Sequence, residues 1–181
     1  RHIIELMDKN NIKHAVLSAS LEALGDWALL DERFILAYQD DAEGLIEVSE
    51  FERLIKDGKI KIFGEIMAVY KGLSLSDSVY APYLSICEEY DIPVAVHTGT
   101  SRPGLVYSCC PNYRIEKGNP LNVEEVLVKH PNLRIYLMHA GAEYYQEAIK
   151  MMYQYPQLYV DIGALLWIDD YAGRSQSRGV Q

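Results

Sequence analysis

The sequence predicts an α/β fold in which a parallel sheet is assembled from about six strand–helix units. Three observations carry this expectation. Short runs that are apolar on both faces recur along the chain, as buried parallel strands do. Segments with helical spacing of apolar residues lie between them, which implies right-handed crossovers joining parallel neighbours. No G-x-G-x-x-G or phosphate loop follows the first strand, so a nucleotide-binding open sheet loses its main support and a barrel of strand–helix units stands as the other architecture.

Each element follows in order. "HIIELMDKNN" (2–11) reads as a short amphipathic helix and "KHAVLSAS" (13–20) as the first strand. "FILAYQD" (34–40) is the next strand. In "LIEVSEFERLIKDG" (45–58), Leu45, Val48, Phe51, Leu54 and Ile55 fall on one helical face, and Gly58 ends it. "KIKIFGEI" (59–66) is a strand. "DSVYAPYLSICEEYD" (77–91) is a helix with Asp77 or Ser78 as N-cap, followed by the strand "PVAVHTG" (93–99). After a long loop come the helix "NVEEVLVKH" (122–130) and the strand "LRIYLMH" (133–139). The helix "EYYQEAIKMMYQY" (143–155) and the strand "LYVDIGALL" (158–166) complete the pattern. The polar end "GRSQSRGVQ" reads as a disordered tail, so the domain is expected over 1–168 and the tail over 169–181.

The 181 residues fit one domain but fall short of the roughly 250 of a full eight-unit barrel. A formal net charge of −9 argues against nucleic acid and against an anionic membrane surface. No apolar run reaches the roughly 18 residues of a membrane span, and no signal-peptide pattern opens the chain. The first residue is Arg1 rather than Met, so the natural start is expected further upstream. Three cysteines without a C-x-x-C spacing speak against a disulfide framework and a structural zinc site, and a reducing cytoplasmic location is the expectation.

Ligands of such sheets bind beyond the carboxyl ends of the strands, and two strands end alike there. "PVAVHTG" delivers His97 and then Gly99, while "RIYLMHAG" delivers His139 and then Gly141. Parallel neighbours lie about 4.8 Å apart. Two inward imidazoles at that spacing can share one metal, and the glycines let the backbone turn away without crowding it. The plain alternative is a pair of hydrogen-bonded structural histidines. His2, His14 and His130 lack this context; His130 precedes Pro131 at a helix end and suits a cap or dipole role. Glu65 ends "KIKIFGE" with the parity of Lys61 and Phe63 and reads as a carboxylate ligand or base aimed at the same mouth, or as an ordinary loop carboxylate. Asp161 inside "YVDIG" either orients a ligand histidine or bonds backbone amides. The segment Thr98–Asn119 is too long for a routine connection and is expected to shape specificity, with Arg102 and Tyr107 as substrate-binding residues. Arg102 suits a substrate carboxylate, with a solvated arginine as the plain alternative.

The block "YAPYLSICEEYDIPVAVHTG", with "GNPLNVEEVLVKHPNLRIYLMHAGAEYYQEAIKMMYQYPQLYVDIGALLWI", resembles the amidohydrolase-related proteins of the metal-dependent hydrolase superfamily. The resemblance implies a TIM-barrel-type (β/α)8 fold with a mononuclear or binuclear centre, commonly zinc, with manganese possible. It makes His97 a metal ligand, His139 a ligand or the catalytic group that polarises attacking water, and Glu65 the occupant of a place where a carboxylate or modified lysine joins the metals. The implied chemistry is hydrolysis of amides, lactones or esters by metal-activated water, with decarboxylation as an alternative. The partner is a small-molecule substrate, with self-association into a homo-oligomer also open.

The sequence also departs from that family. Its His-x-His pair occurs nowhere here, and nothing like its Gly-Ser-Asp turn follows Trp167; Asp169 and Asp170 stand too close to the preceding strand. The expectation is therefore an incomplete barrel whose metal is weakly held and whose isolated activity is impaired. A fragment acting only by association is the non-catalytic alternative.

Overall fold

The structure is a computed structural model that describes residues 2–40 and 44–165. Its sheet has six parallel strands in sequence order: β1 (Ala15–Ala19), β2 (Phe34–Tyr38), β3 (Ile62–Ile66), β4 (Val94–His97), β5 (Ile135–Met138) and β6 (Leu158–Val160). Among the described residues seven α-helices accompany them: α1 (His2–Lys9), α2 (Leu21–Ala28), α3 (Val48–Lys56), α4 (Ala81–Glu89), α5 (Leu105–Ser108), α6 (Glu124–Lys129) and α7 (Tyr145–Gln154). The strands are shorter than the apolar runs that announced them, because pairing stops where the chain turns out of the sheet. The last strand ends at Val160 rather than 166, and the tail expected over 169–181 lies outside the described residues.

Helix α2 was not legible in the sequence pattern. "LEALGDWA" is only eight residues long and carries Gly25, which weakens a helix interior by about 1 kcal/mol relative to alanine. It forms because Leu24 is buried. The N-cap of α4 also differs: the helix starts after Tyr80, and Asp77 instead accepts from the Ser74 amide at 2.7 Å in the preceding turn.

Alternation along the strands makes two cores. Tyr38, Phe63, Val94, Val96, Ile135 and Leu137 face the helices. Phe51 of α3 anchors that layer, with its ring centroid 4.9 Å from Phe63 and 5.2 Å from Tyr83. The opposite face carries Ala37, Ile62 and Ala95, packed by Ile35, Tyr136 and Met138. The sheet curls about this second face. Ser18 on β1 reaches past β2 to the Gly64 carbonyl on β3 at 2.6 Å. Residues of both outer strands, Val16 and Ser18 on one side and Tyr159 and Val160 on the other, line a single cavity of about 780 Å³.

Candidate metal centre

Three side chains converge at the carboxyl end of the sheet. Single ligand atoms of Glu65, His97 and His139 all lie within 4.8 Å of one another. The Glu65 Oε1 atom is 2.7 Å from Nδ1 of His97 and 3.4 Å from Nε2 of His139. The two imidazole rings stand 4.9 Å apart, centroid to centroid.

Each residue arrives by a different local device. His97 continues the inward alternation of Ala95 on β4. Glu65 does not follow simple alternation: Phe63, whose parity it shares, faces the helices. A bulge intervenes, since Phe63 pairs with Val94 while Ile66 pairs with Val96, three residues against two. The extra residue puts Glu65 on the cavity side, and Ser18 secures it by bonding both the Gly64 carbonyl and the Glu65 amide. His139 shares the parity of Ile135 and Leu137, which face the helices. Its own φ of 63° redirects it, and Ala140 and Gly141 continue the left-handed turn. Thr98 locks that turn, accepting from the Gly141 amide at 3.0 Å and donating to the Met138 carbonyl. Gly99 is required beside it, because a side chain there would collide with Cβ of Ala142.

The partners around the imidazoles fix their protons. His139 faces the Gly163 carbonyl through Nδ1 at 2.9 Å, so Nδ1 is the donor and Nε2 points at Glu65. Asp161 stands behind this arrangement: its Oδ1 accepts from the His139 amide at 3.1 Å and the Gly163 amide at 2.7 Å. It therefore bonds backbone amides, and through Gly163 it also orients the histidine. On the other ring, Nε2 of His97 is 3.4 Å from the Tyr70 hydroxyl, which donates onward to Ser101 at 3.2 Å. Nδ1 of His97 donates to the Glu65 carboxylate at 2.7 Å; with its own proton committed to Ser101, the Tyr70 oxygen would accept an Nε2–H once an ion displaced the Nδ1 proton.

Electrostatics agree with this geometry. Burial raises the Glu65 carboxyl, but hydrogen bonds from His139 and His97 outweigh it and hold the group at about 2. The same bond to Glu65 raises His139 above the ordinary histidine value against the opposing effect of burial, and the Gly163 carbonyl adds to it. The cluster thus holds an anionic carboxylate against an imidazole whose protonated form is favoured. A cation held by these residues would take over the role of that proton.

A carboxylate oxygen and two imidazole nitrogens form a donor set that suits zinc or manganese. The atoms that would hold the ion are Glu65 Oε1, His97 Nδ1 and His139 Nε2.

Several neighbours were missed in the sequence. Tyr70 lies in the short 3₁₀ turn Ala68–Lys71 and Ser101 in the loop after β4, where no periodicity marks them. Asp40 had a signal, an acid just past an apolar run. It is 1% exposed and accepts from the Met67 amide at 2.7 Å, Lys71 at 3.0 Å and the Tyr80 hydroxyl at 2.9 Å, which clamps the chain just after Glu65. The two expected substrate residues lie in the segment that follows β4. Tyr107 is 92% exposed, and Arg102 donates to Ser108 at 3.2 Å. His130 bonds Glu88 at 2.7 Å, tying the end of α6 to α4.

The curled parallel sheet, with a candidate metal-binding trio gathered at its carboxyl end, has the layout of an α/β barrel. The sequence matches the Amidohydrolase family profile over residues 24–178, and the chain belongs to that family. Among solved structures it is similar to an uncharacterised TIM-barrel protein, Bb4693, from Bordetella bronchiseptica, with a TM-score of 0.64 at 19% identity over 88% of this chain. It is also similar to 5-carboxyvanillate decarboxylase LigW from Sphingomonas paucimobilis, with a TM-score of 0.52 at 14% identity over 99% of this chain. The chain spans 58% of the length of each of those two proteins. At such identities the likeness is one of fold, and the described residues form six strands of a TIM-barrel sheet. No curated protein matches. No helix among the described residues is long and apolar enough to cross a membrane.

Proposed function

We propose that this chain carries part of the divalent-metal centre of a hydrolase acting on amide, lactone or ester bonds, with zinc as the ion and the cytoplasm as its location. The convergence of Glu65, His97 and His139 within 4.8 Å at the carboxyl end of a barrel sheet carries this reading. When bound, the ion supplies Lewis acidity, which polarises a carbonyl and lowers the pKa of water toward ~7. The protein does the rest. Glu65 supplies the negative charge. Tyr70, its own proton on Ser101, would accept an Nε2–H from His97 once an ion displaced the Nδ1 proton that Glu65 holds. Gly163 keeps a His139 proton on Nδ1, so the opposite nitrogen faces the reacting centre. Ile62, Tyr136, Met138, Tyr159 and Ile162 give the adjoining cavity an apolar wall that seats the body of a small substrate. Arg102 and Tyr107 remain candidates for substrate contact from the loop above.

The second reading is a decarboxylase using the same three ligands, and the fold likeness to a decarboxylase favours it. A binding module without turnover is the third. Metal analysis after chelation and reconstitution tests the common ground: about one equivalent of zinc or manganese bound by the native chain, and none by His97→Ala, is expected. No uptake, or uptake unchanged in His97→Ala, overturns both enzymatic readings. Carbon dioxide release from carboxylated aromatics, set against hydrolysis of an ester and lactone panel, separates the two.

A further inference from the structure

The segment between β4 and the 3₁₀ turn Ile115–Gly118 carries two adjacent thiols that the proposed chemistry does not use. Cys109 and Cys110 follow α5, and both backbone amides bond the Leu105 carbonyl, at 3.1 and 3.3 Å, so the pair is pinned on one turn. Cys109 is exposed and Cys110 half-buried, while Cys87 is fully buried in α4. Arg102 extends Nη2 to the Cys109 sulfur at 3.9 Å and to the Ser108 hydroxyl at 3.2 Å. A cation is thus fixed beside one thiol of an accessible pair.

We propose that Cys109 and Cys110 form a two-thiol capture site for a thiophilic centre, a trivalent arsenical or a soft divalent cation, at the rim of the barrel mouth. Geometry selects a bridging atom over a direct disulfide. Neighbouring Cα atoms lie about 3.8 Å apart across a trans peptide, short of the roughly 4.4–6.8 Å that disulfides span. A direct S–S bond between them is strained and easily reduced, whereas an intervening atom widens the ring.

The two sulfurs also have unlike chemistry. The hydrogen bond from Cys110 and the contacts with Arg102 and Ser108 lower the Cys109 thiol against burial, and the same thiol–thiol bond raises Cys110. Cys109 therefore attacks first as thiolate, and Cys110 closes the ring. With an organic arsenoxide, two S–As bonds form and the As–O bond breaks. The oxygen leaves as water with both thiol protons, and no oxidant is consumed. The pair is linked to the candidate metal trio through two tyrosines: the Cys110 carbonyl accepts from the Tyr113 amide at 2.9 Å, and the Tyr113 ring lies 5.7 Å from that of Tyr70, which packs 5.1 Å from His97.

Phenylarsine oxide added to the native chain tests this, with free thiols counted by a disulfide reagent. One equivalent is expected to silence both exposed thiols, to resist excess monothiol and to be stripped by a dithiol. Cys109→Ser and Cys110→Ser should each bind roughly 10²–10⁴-fold more weakly, the usual gain from a second tethered contact. Arg102→Ala should slow capture and leave the stoichiometry at one. Two arsenicals per chain, release by monothiol, or equal binding by either single variant would overturn the proposal. None of these outcomes depends on the metal centre, so each is separate from the fate of that reading.

Discussion

The carboxylate of Glu65 bridges two imidazoles, with Oε1 at 2.7 Å from Nδ1 of His97 and 3.4 Å from Nε2 of His139. One oxygen thus addresses both nitrogens through which a cation would be held. Glu65→Gln keeps the size and removes the charge. Metal affinity in a competition titration should then fall by more than the roughly 10–100-fold that loss of an outer partner costs. Unchanged affinity would place Glu65 outside the ligand set.

Tyr70 acts one bond further out. Its ring packs 5.1 Å from the His97 ring, and its hydroxyl stands 3.4 Å from Nε2, where it would accept the Nε2–H of a metal-bound imidazole. Tyr70→Phe retains the packing and removes the acceptor, so a loss of roughly 10–100-fold in metal affinity is expected. In the metal-loaded protein the His97 Nε2–H should also exchange faster with solvent, a change visible in long-range nitrogen NMR spectra. A purely structural tyrosine would leave that signal in place.

Gly64 sits in the bulge at φ 140°, where an added Cβ would collide with the Ala95 carbonyl and approach its Cβ at 2.6 Å. Gly64→Ala should cost about 1–3 kcal/mol, as overpacking does. It should weaken metal binding in the same variant, because the bulge also aims Glu65. Thermal denaturation and metal titration on one sample test the link; destabilisation with intact affinity would break it.

Phe51 is fully buried and packs against Tyr38, Phe63 and Tyr83. Phe51→Ala should destabilise the chain by about 3–5 kcal/mol. Urea denaturation measures it, and a cost below 1 kcal/mol would show that α3 does not anchor the helix layer.

Acid should loosen the junction between α4 and α6. Burial raises Glu88, but the Asn132 amide and His130 prevail and leave it below its ordinary value of 4.5. A carboxyl depressed by folding stabilises fully above its unfolded value, and that contribution fades as pH falls through the folded one. The stability gap between native chain and Glu88→Gln should therefore be widest near neutrality and shrink below pH ~4. A gap constant with pH would remove Glu88 from the acid response.

Much of this was legible before any coordinates. The strands announced themselves because buried parallel strands need apolar residues on both faces. His97 was fully readable, since it simply continues its strand's alternation. The inward placement of Glu65 and His139 is legible only in part: the sequence marks where a strand ends, but not how the chain turns there. One needed a bulge and the other a left-handed residue to face inward, and neither leaves a periodic trace. Tyr70 and Ser101 are brought to His97 by tertiary folding alone. Asp40 and α2 were overlooked, the first despite a visible signal and the second because eight residues with an internal glycine fall below what periodicity can establish.

The cavity between β1 and β6 reaches to Glu65 and His139 while leaving Val16, Tyr159 and Ile162 in contact with solvent. Any polypeptide or ligand surface that covers this flank removes water from beside the carboxylate and its histidines, and charges attract more strongly where the dielectric is low. Cation affinity and coverage of the flank are therefore thermodynamically linked: whatever favours one must favour the other by the same free energy.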